Sequence, residues 1–520
     1  MGSAHNHTRS SPSTALRNDA LECCAVYQYP AARRYSAVSY LLLAPELVLI
    51  SVSILVLLLG LFIKEKKILG YVSIAALLVA LLLVLGSFNV RESFVGYPFY
   101  SAVVVDSFAQ FFNILFLTVA LLVCIASLEY YGNNPSQDEY YFLVFIATTG
   151  MMLVAIANDL IVLFIGFELA SLSTYALAGF DKNSKFGAEG AMKYFIFGGL
   201  SSAVLLFGIS LAYGISGTVN ILEMKEFLAA HAARFESIAI LAMLLILAGF
   251  GFKMALVPFH MWAPDTYEGS PSVISALLAA GSKKMGFVAA FRVFLLALIA
   301  VKLQWYLAFA ILAVITMTLG NVLAIMQNSV KRMLAYSSIA HAGYIAIAFA
   351  VIAYSSNAAQ TALAGAAMHA LSHALATASA FIAVAAVGLI YPKNDILENY
   401  DGLGKTAPTT ALLMTVMLLS LAGIPPTFGF YTKFVLFLSA IQAELIGLAI
   451  IAVLNSALSV YYYARVIMRM YWGKPKTEKV KESPAYVTAM IIAVVITVIL
   501  GLYPNPISEW AYGAAEAVLR

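Results

Sequence analysis

Apolar runs of about 18 or more residues recur along nearly the whole chain, and this feature constrains the fold more than any other. A helix of that length crosses a hydrocarbon core about 30 Å thick. Only 11% of the residues are charged, whereas a soluble domain carries about 25%. The short segments of alternating polarity that form a transmembrane barrel are not seen in the sequence. Because lipid cannot satisfy backbone N–H and C=O groups, the sequence predicts an all-α integral membrane protein.

About fourteen spans are predicted within a membrane domain over residues 38–510. Their limits lie near 40–63, 69–88, 102–128, 140–157, 160–180, 188–214, 237–260, 271–298, 304–326, 332–353, 359–391, 408–438, 443–471 and 485–504. The connection near 215–236 is long enough for a short surface helix. Residues 1–37 are polar and lack an apolar core, so we expect a disordered or over-called N-terminal tail. Residues 511–520 are expected to form a short C-terminal tail.

Several function classes find no support in the sequence. Cys23, Cys24 and Cys124 have no metal-ligand spacing, so we expect no iron–sulfur cluster in this chain. Neither a P-loop nor a glycine-rich dinucleotide motif followed by a helix is found. No basic, aromatic-laced face for nucleic acid is present either. We therefore expect no cofactor and no metal in this chain, lipids around it and no nucleic acid.

The distribution of basic residues predicts the orientation in the membrane. Roughly fourteen Lys and Arg lie in the loops after the odd-numbered spans, and about five lie on the other side. The odd-numbered loops are therefore predicted to face the cytoplasm, with both termini outside. Arg33 and Arg34, just before span 1, favour the opposite orientation.

Ionisable residues deep in the spans are the informative ones, because each costs at least a few kcal/mol to place in lipid. The charged candidates are Glu168 in span 5, Lys193 in span 6, Lys253 in span 7, Lys283 and Lys284 in span 8, and Lys433 in span 12. The histidine candidates are His260, His341, His369 and His373.

Each candidate also has a simpler interpretation. A lysine near a helix end can extend to the interface and do nothing else, which fits Lys284 better than Lys193. That interpretation fits Lys253 poorly, because apolar residues flank it on both sides. Glu168 can belong to an inert buried ion pair with a lysine. His369 and His373 are spaced as a metal pair would be, but with no nearby carboxylate or cysteine we favour helix–helix hydrogen bonds.

Two spans carry prolines next to a lysine. Pro258 follows Lys253 in span 7, and Pro425 and Pro426 precede Lys433 in span 12. Proline breaks a helix, and freed carbonyls are tolerated in a membrane where they face a hydrated cavity. A kink for packing alone is the alternative. The five-span offset predicts two inverted repeats, spans 4–8 (138–300) and spans 9–13 (303–472), with helices 7 and 12 broken.

Three stretches carry a resemblance to a known family. The stretch from Phe252 to Asp265 resembles the proton-conducting antiporter-like family, which includes membrane subunits of complex I and Mrp-type cation/proton antiporters. Gly166–Leu169 and Lys331–Tyr344 match the same family, and the resemblance covers almost the whole chain from about residue 40. Tyr267–Pro271, followed by Ser282 and Lys283, is similar to its subunit N (subunit 2) class.

The resemblance implies a proton relay. Glu168 and Lys193 match the family's Glu–Lys pair, Lys253 its central lysine and Lys283 its linking lysine. His260 and His341 match polar residues of the central axis, and Lys433 matches the terminal lysine. The expected scheme has the Glu168–Lys193 pair set the proton affinity of Lys253, which passes a proton through water, Lys283 and His341 to Lys433. His369 and His373 depart from the subunit N pattern, so the path between Lys283 and Lys433 stays open.

The resemblance also implies an assembly. The expected function is a non-redox, proton-translocating membrane-arm subunit of a complex I-like oxidoreductase, with sibling antiporter-like subunits as partners. Flavin, iron–sulfur clusters and quinone or phenazine are expected on other subunits, with NADH or a reduced deazaflavin coenzyme as electron donor. The expected location is the cytoplasmic membrane of a prokaryote. An Mrp-type cation/proton antiporter subunit and an inert membrane spacer are the alternatives.

Overall fold

The computed structural model describes residues 42–87, 102–132, 134–391 and 395–519, without the side chains of residues 232 and 233. Within these ranges the chain consists of helices joined by short connections, with three isolated β-bridges and no β-strand. The predicted all-α class is therefore confirmed. The N-terminal tail predicted for residues 1–37 lies outside the described residues.

The helices follow the fourteen predicted spans. The first seven are Ala44–Phe62, Lys67–Gly86, Ser107–Tyr130, Gln137–Ile156, Leu160–Ala178, Lys185–Ser216 and Ile221–Met254. Spans 8 to 11 are Ser272–Ala297, Lys302–Ile325, Val330–Tyr354 and Ser356–Gly388. Span 12 consists of Pro408–Ala422 and Phe428–Gln442, and spans 13 and 14 are Ile446–Trp472 and Pro484–Leu502. Thirteen of these segments are long and apolar enough to cross a membrane uninterrupted, and the broken span 12 completes the predicted count.

Both predicted breaks are present. Span 7 ends at Met254, and after the turn 255–261 the chain continues as the short helix Trp262–Gly269, which we call the half-helix. Span 12 is interrupted at residues 423–427. The surface helix expected before span 7 is continuous with that span, because no proline separates Ile221 from Met254 and the 34 residues form one helix.

Two matching backbone bridges accompany the breaks. Asp159, before span 5, bridges Asn220, before span 7. Ser329, before span 10, bridges Ile396, before span 12. The two bridges lie five spans apart and share one hydrogen-bond pattern, in which each bridged pair is flanked by two reciprocal N–H···O=C bonds. This correspondence supports the two repeats, whose inverted relation and limits stay a prediction.

The expected C-terminal tail is wrong. Residues Asn505–Leu519 form a helix instead, and its small residues Ala511, Ala514 and Ala515 are buried. Their spacing places them on one helix face, which packs against spans 3 and 11. Because alanine and serine separate Ile507 from Val518 on the buried face, the segment gave no strong apolar signal and was taken for a tail.

Burial divides the spans into inner and outer sets. The most apolar 18 residues of spans 8 and 11 are fully buried within the chain, and those of span 10 are 94% buried. Spans 1, 2 and 14 are only 28–39% buried and expose large apolar side chains. Such surfaces suit lipid or another apolar subunit. The inner spans carry Lys283, Lys284 and the three histidines of spans 10 and 11, so these polar groups lie away from lipid.

A buried ion pair connects spans 3, 4 and 8. The Arg292 guanidinium of span 8 donates from both Nη atoms to the Asp106 carboxylate, each at 2.7 Å, and from Nη2 to the Ala155 carbonyl at 2.8 Å. Asp106 also caps the N-terminus of span 3 by accepting from Ala109 N–H. The guanidinium is 2% exposed, so this pair joins spans 3, 4 and 8 where water is scarce.

We predict that Asp106→Asn destabilises the protein by about 3 kcal/mol, because it leaves the buried Arg292 charge without a counter-charge. Asparagine still caps span 3, so the loss reports the ion pair. Thermal unfolding of the purified complex measures it. The double variant Asp106→Asn/Arg292→Met removes both charges and should lose less than the single variant. A double variant that loses the sum of the two single losses would contradict this account.

Candidate proton pathway

Lys253 lies in the last turn of span 7, directly before the break. It is 0% exposed, and its Nζ donates to the Tyr194 hydroxyl at 2.8 Å and to Ser171 Oγ at 3.0 Å. The ammonium also faces the rings of Phe167, Tyr175 and Tyr194 at 5.1–5.8 Å from their centroids. No ion pair to Lys253 is found in the described part of the chain. Two hydroxyls and three π faces therefore solvate this charge.

The predicted Glu168–Lys193 pair is not formed. The Glu168 carboxylate instead accepts a hydrogen bond from Ser202 Oγ. Lys193 Nζ pairs with Asp265 Oδ2 at 2.6 Å and with Glu189 Oε1 at 2.7 Å. Ser202 lies nine residues beyond Lys193 in the continuous span 6, which corresponds to about 13 Å along the helix axis.

Side-chain direction explains this separation. Helical side chains lean toward the N-terminus of their own helix, and Lys193 follows this rule by reaching back one turn to Glu189. The Glu168 carboxylate accepts its hydrogen bond from Ser202, which lies toward the C-terminal end of span 6, away from the direction in which Lys193 reaches. The two hydroxyl partners of Lys253 lie close in sequence to Glu168 and Lys193. Ser171 is one helical turn after Glu168, and Tyr194 directly follows Lys193. The central lysine thus contacts both helices without contacting either charge.

Spans 7 and 8 approach each other closely between Lys253 and Lys283. A Cβ at Gly286 would lie 3.0 Å from the Met254 backbone nitrogen and 3.1 Å from Lys253 Cβ. Glycine therefore allows span 8 to contact the backbone at Lys253. Lys283, one turn earlier, donates to Ser338 Oγ of span 10 at 2.7 Å and faces the Tyr267 ring. Lys283 thus joins the first predicted repeat to span 10, as its linking role would require.

Lys284 contacts a different partner from its neighbour. Its Nζ lies 2.7 Å from His373 Nδ1 of span 11 and 3.2 Å from the Ala279 carbonyl. Ala279 belongs to a π-turn at Leu278–Ser282. Such a turn lacks the usual i→i−4 hydrogen bonds, and one of its carbonyls is here bound by the ammonium. At 1% exposure, Lys284 does not extend to the membrane surface as the simpler interpretation assumed.

Three histidines continue the row of polar groups from Lys284. The His373 ring lies 4.6 Å from the His341 ring, measured between centroids. His341 Nδ1 and His369 Nε2 are 3.0 Å apart, and His369 Nδ1 is 3.0 Å from Thr432 Oγ1. Thr432 precedes Lys433 in span 12. Hydrogen-bonding groups therefore fill the interval that the sequence left open between span 8 and span 12.

Lys433 lies at the break of span 12. Its Nζ donates to the Leu421 and Ala422 carbonyls at 2.8 and 3.1 Å, and to Ser456 Oγ at 3.0 Å. The two carbonyls are the last of Pro408–Ala422, where the helix dipole is negative. The break therefore supplies the acceptors that hold this ammonium in the bundle.

Two further residues complete the account. His260 lies in the turn after span 7 and is 8% exposed, but no hydrogen bond within the described ranges joins it to the lysines or to His341. Glu46 in span 1 was missed by the sequence analysis. It is 4% exposed, and its Oε1 accepts from Asn113 Nδ2 at 3.1 Å. A lone carboxylate in an apolar span was the signal that could have found it.

No group of three or more His, Cys, Asp and Glu side chains suited to a metal ion occurs among the described residues. His369 and His373 have separate hydrogen-bond partners, His341 with Thr432 for the first and Lys284 for the second. This geometry agrees with the expected helix–helix hydrogen bonds.

Comparison with known proteins decides the family. Residues 157–459 match the family model described as NADH:quinone oxidoreductase/Mrp antiporter, transmembrane. This chain belongs to that family.

Within the NADH:quinone oxidoreductase/Mrp antiporter family, this chain is similar to proteins named subunit N. It is 52% identical over 495 residues to the F(420)H(2) dehydrogenase subunit N of Methanosarcina mazei, covering 92% of this chain and 98% of the relative. It is 38% identical to the NADH-quinone oxidoreductase subunit N of Trichlorobacter lovleyi, covering 94% and 99%. A chain of respiratory complex I from Thermus thermophilus with bound aureothin shares the fold at a TM-score of 0.75 and 31% identity, covering 89% and 98%. The predicted resemblance to subunit N is confirmed.

Gly423, at the break of span 12, has a backbone conformation and surroundings that disfavour any side chain. Its φ is +84°, and a Cβ there would lie 3.0 Å from Lys433 Cδ. We predict that Gly423→Ala destabilises the protein by about 1–2 kcal/mol from backbone strain alone, measured by thermal unfolding. Gly199→Ala is the control, since it is helical with open space around it and alanine is favoured there by about 0.5–1 kcal/mol. Equal stability of the two variants would contradict this prediction.

Proposed function

We propose that this chain is a proton-translocating, non-redox membrane subunit of a complex I-type oxidoreductase in the cytoplasmic membrane of a prokaryote. One observation carries the proposal. Buried lysines and histidines from span 7 to span 12 are solvated by hydroxyls, rings and carbonyls rather than by carboxylates. Groups of this kind in a membrane mark ion paths and proton relays.

The chemistry of the row suits proton transfer. Hydroxyl and imidazole groups can each donate and accept a hydrogen bond, so a proton can enter on one side of the group and leave on the other. The row contains Tyr194 and Ser171 at Lys253, Ser338 at Lys283, and the three histidines between Lys284 and Lys433. Residues of spans 5, 6, 7, 8, 10, 11 and 12 thus contribute to one path through both predicted repeats.

We propose that the path crosses from span 8 to span 12 through Lys284, with Lys283 as the step between Lys253 and Lys284. Lys284 and His373 are in hydrogen-bond contact, and His341, His369 and Thr432 lead to Lys433. Glu168 stays part of the proposal as the carboxylate one turn before Ser171 in span 5, while no hydrogen bond among the described residues assigns His260 a step.

The driving reaction lies in other subunits. The relative with 52% identity is named F(420)H(2) dehydrogenase subunit N, and this name favours a reduced deazaflavin coenzyme over NADH as electron donor. In this scheme flavin, iron–sulfur clusters and the quinone or phenazine acceptor belong to partner subunits, and sibling antiporter-like subunits are neighbours in the membrane. Purified complex that oxidises NADH but not the reduced deazaflavin would overturn the choice of donor.

The central test concerns Lys253. We predict that Lys253→Met lowers proton translocation by about tenfold or more in proteoliposomes of the complete complex, because a relay group has been removed. Lys302→Met is the matched control, since Lys302 is exposed at the start of span 9. Undiminished translocation by an assembled Lys253→Met complex would show that the lysine is structural. Sodium-dependent exchange without electron transfer would instead favour an Mrp-type antiporter subunit.

A second test concerns the crossing at Lys284. Lys284→Met and His373→Phe should each lower translocation severalfold, and the double variant should lose no more than the stronger single one. Residues that act as consecutive steps of one path are expected to be non-additive in this way. Independent, multiplying losses would show that the two residues do not share a path.

A further inference from the structure

One carboxylate binds two cations from different predicted repeats. Asp265 Oδ2 pairs with Lys193 of span 6 at 2.6 Å, and Asp265 Oδ1 pairs with Arg332 of span 10 at 2.8 Å. Each cation has one further carboxylate of its own. Glu189 lies 2.7 Å from Lys193, and Glu268 lies 2.7 Å from Arg332.

The half-helix that carries Asp265 is held between the same two spans. Thr266 Oγ1 donates to the Gly190 carbonyl of span 6 at 3.1 Å, and a Cβ at Gly190 would lie 2.7 Å from the Asp265 carbonyl oxygen. On the other side, Lys331 Nζ of span 10 donates to the Glu268 and Ser270 carbonyls at 3.1 and 2.8 Å. The half-helix therefore cannot move relative to either span without changing these contacts.

We propose that Asp265 is a shared counter-ion that couples the position of Lys193 in the first repeat to Arg332 in the second. This inference rests on the proposed proton-translocating function and assigns Asp265 a positioning role in it. Asp265 contacts no group of the buried row and acts through Lys193, whose neighbour Tyr194 binds Lys253.

Electrostatics gives the coupling its direction. Two cations bound to one carboxylate share its negative charge, so withdrawal of one strengthens the attraction for the other. Burial raises the pKa of Asp265, but the hydrogen bonds and charges of Lys193 and Arg332 outweigh it and lower that pKa. The carboxylate consequently stays ionised at neutral pH and is available to both cations.

An isolated exposed ion pair would have little effect. This cluster differs because two basic and three acidic side chains meet in it, with side-chain exposures of 26–39% for all except Glu189, which is 61% exposed. The cluster also has an internal control. Among the described residues, Glu189 pairs with Lys193 alone and Glu268 with Arg332 alone, whereas Asp265 pairs with both cations.

The test is a double-mutant cycle with Asp265 present and in the Asp265→Asn background, with two further backgrounds as controls. Lys193→Met, Arg332→Gln and the double variant are compared for protons translocated per electron in proteoliposomes of the complete complex. With Asp265 present, the double variant should differ from the product of the single effects by about fivefold or more. In the Asp265→Asn background the same cycle should be additive within about twofold. Glu189→Gln and Glu268→Gln backgrounds should retain the coupling.

Asp265→Glu keeps the carboxylate and should therefore retain the coupling. If Asp265 had only a structural role, the coupling would not depend on its negative charge. Additive effects with Asp265 present, or equal coupling in the Asp265→Asn background, would overturn the inference. If Lys253→Met also leaves translocation unchanged, the proposed function itself fails. If Lys253→Met abolishes translocation while the cycle is additive, only the shared counter-ion is wrong.

Discussion

The structure depends on one constraint, that ammonium groups in the membrane interior must be solvated by the protein itself. Bulk water is not available there, and a fixed carboxylate would hold a proton carrier in one state. The chain meets the constraint with neutral groups. Lys253 has two hydroxyls and three aromatic faces, Lys433 has two helix-terminal carbonyls, and Lys284 has a π-turn carbonyl and an imidazole. These neutral partners leave each charge stabilised but unpaired.

The same constraint explains why the regular α-helix is interrupted in spans 7, 8 and 12. An intact helix uses nearly all its carbonyls internally, so acceptors for a buried cation become available only at an end, a break or a π-turn. Span 12 ends a helix at Ala422 for Lys433, and span 8 opens at Ala279 for Lys284. At the end of span 7, the Phe252 carbonyl accepts from Trp262 Nε1, which fixes the start of the half-helix. The interruptions therefore supply hydrogen-bond acceptors to buried donors, in addition to shaping the packing of the helices.

The sequence predicted the number and type of the spans because hydropathy depends on composition alone. It also predicted where Lys253 and Lys433 lie, because proline marks a break and the lysine is close in sequence. It failed for contacts between spans. Glu168 and Lys193 were paired by resemblance, yet the first accepts a hydrogen bond from Ser202 and the second pairs with carboxylates at the other end of span 6. Asp265 and Arg332 were overlooked as partners because 67 positions separate them in the chain, and the C-terminal helix was missed because alanine gives little apolar signal.

The π-turn at Leu278–Ser282 has a consequence for how this pathway tolerates change in the chain. A π-turn contains one residue more than the α-turn it replaces, so every side chain after it is rotated by about 100° relative to an uninterrupted helix. The rotation decides which of two consecutive lysines meets Ser338 and which meets His373. Loss of one residue from the turn would close it into an α-turn and leave both lysines in place, whereas closing the turn without that loss would rotate both lysines away from Ser338 and His373. The kind of turn in span 8, as much as the identity of its residues, thus specifies which hydrogen bonds connect the two predicted repeats.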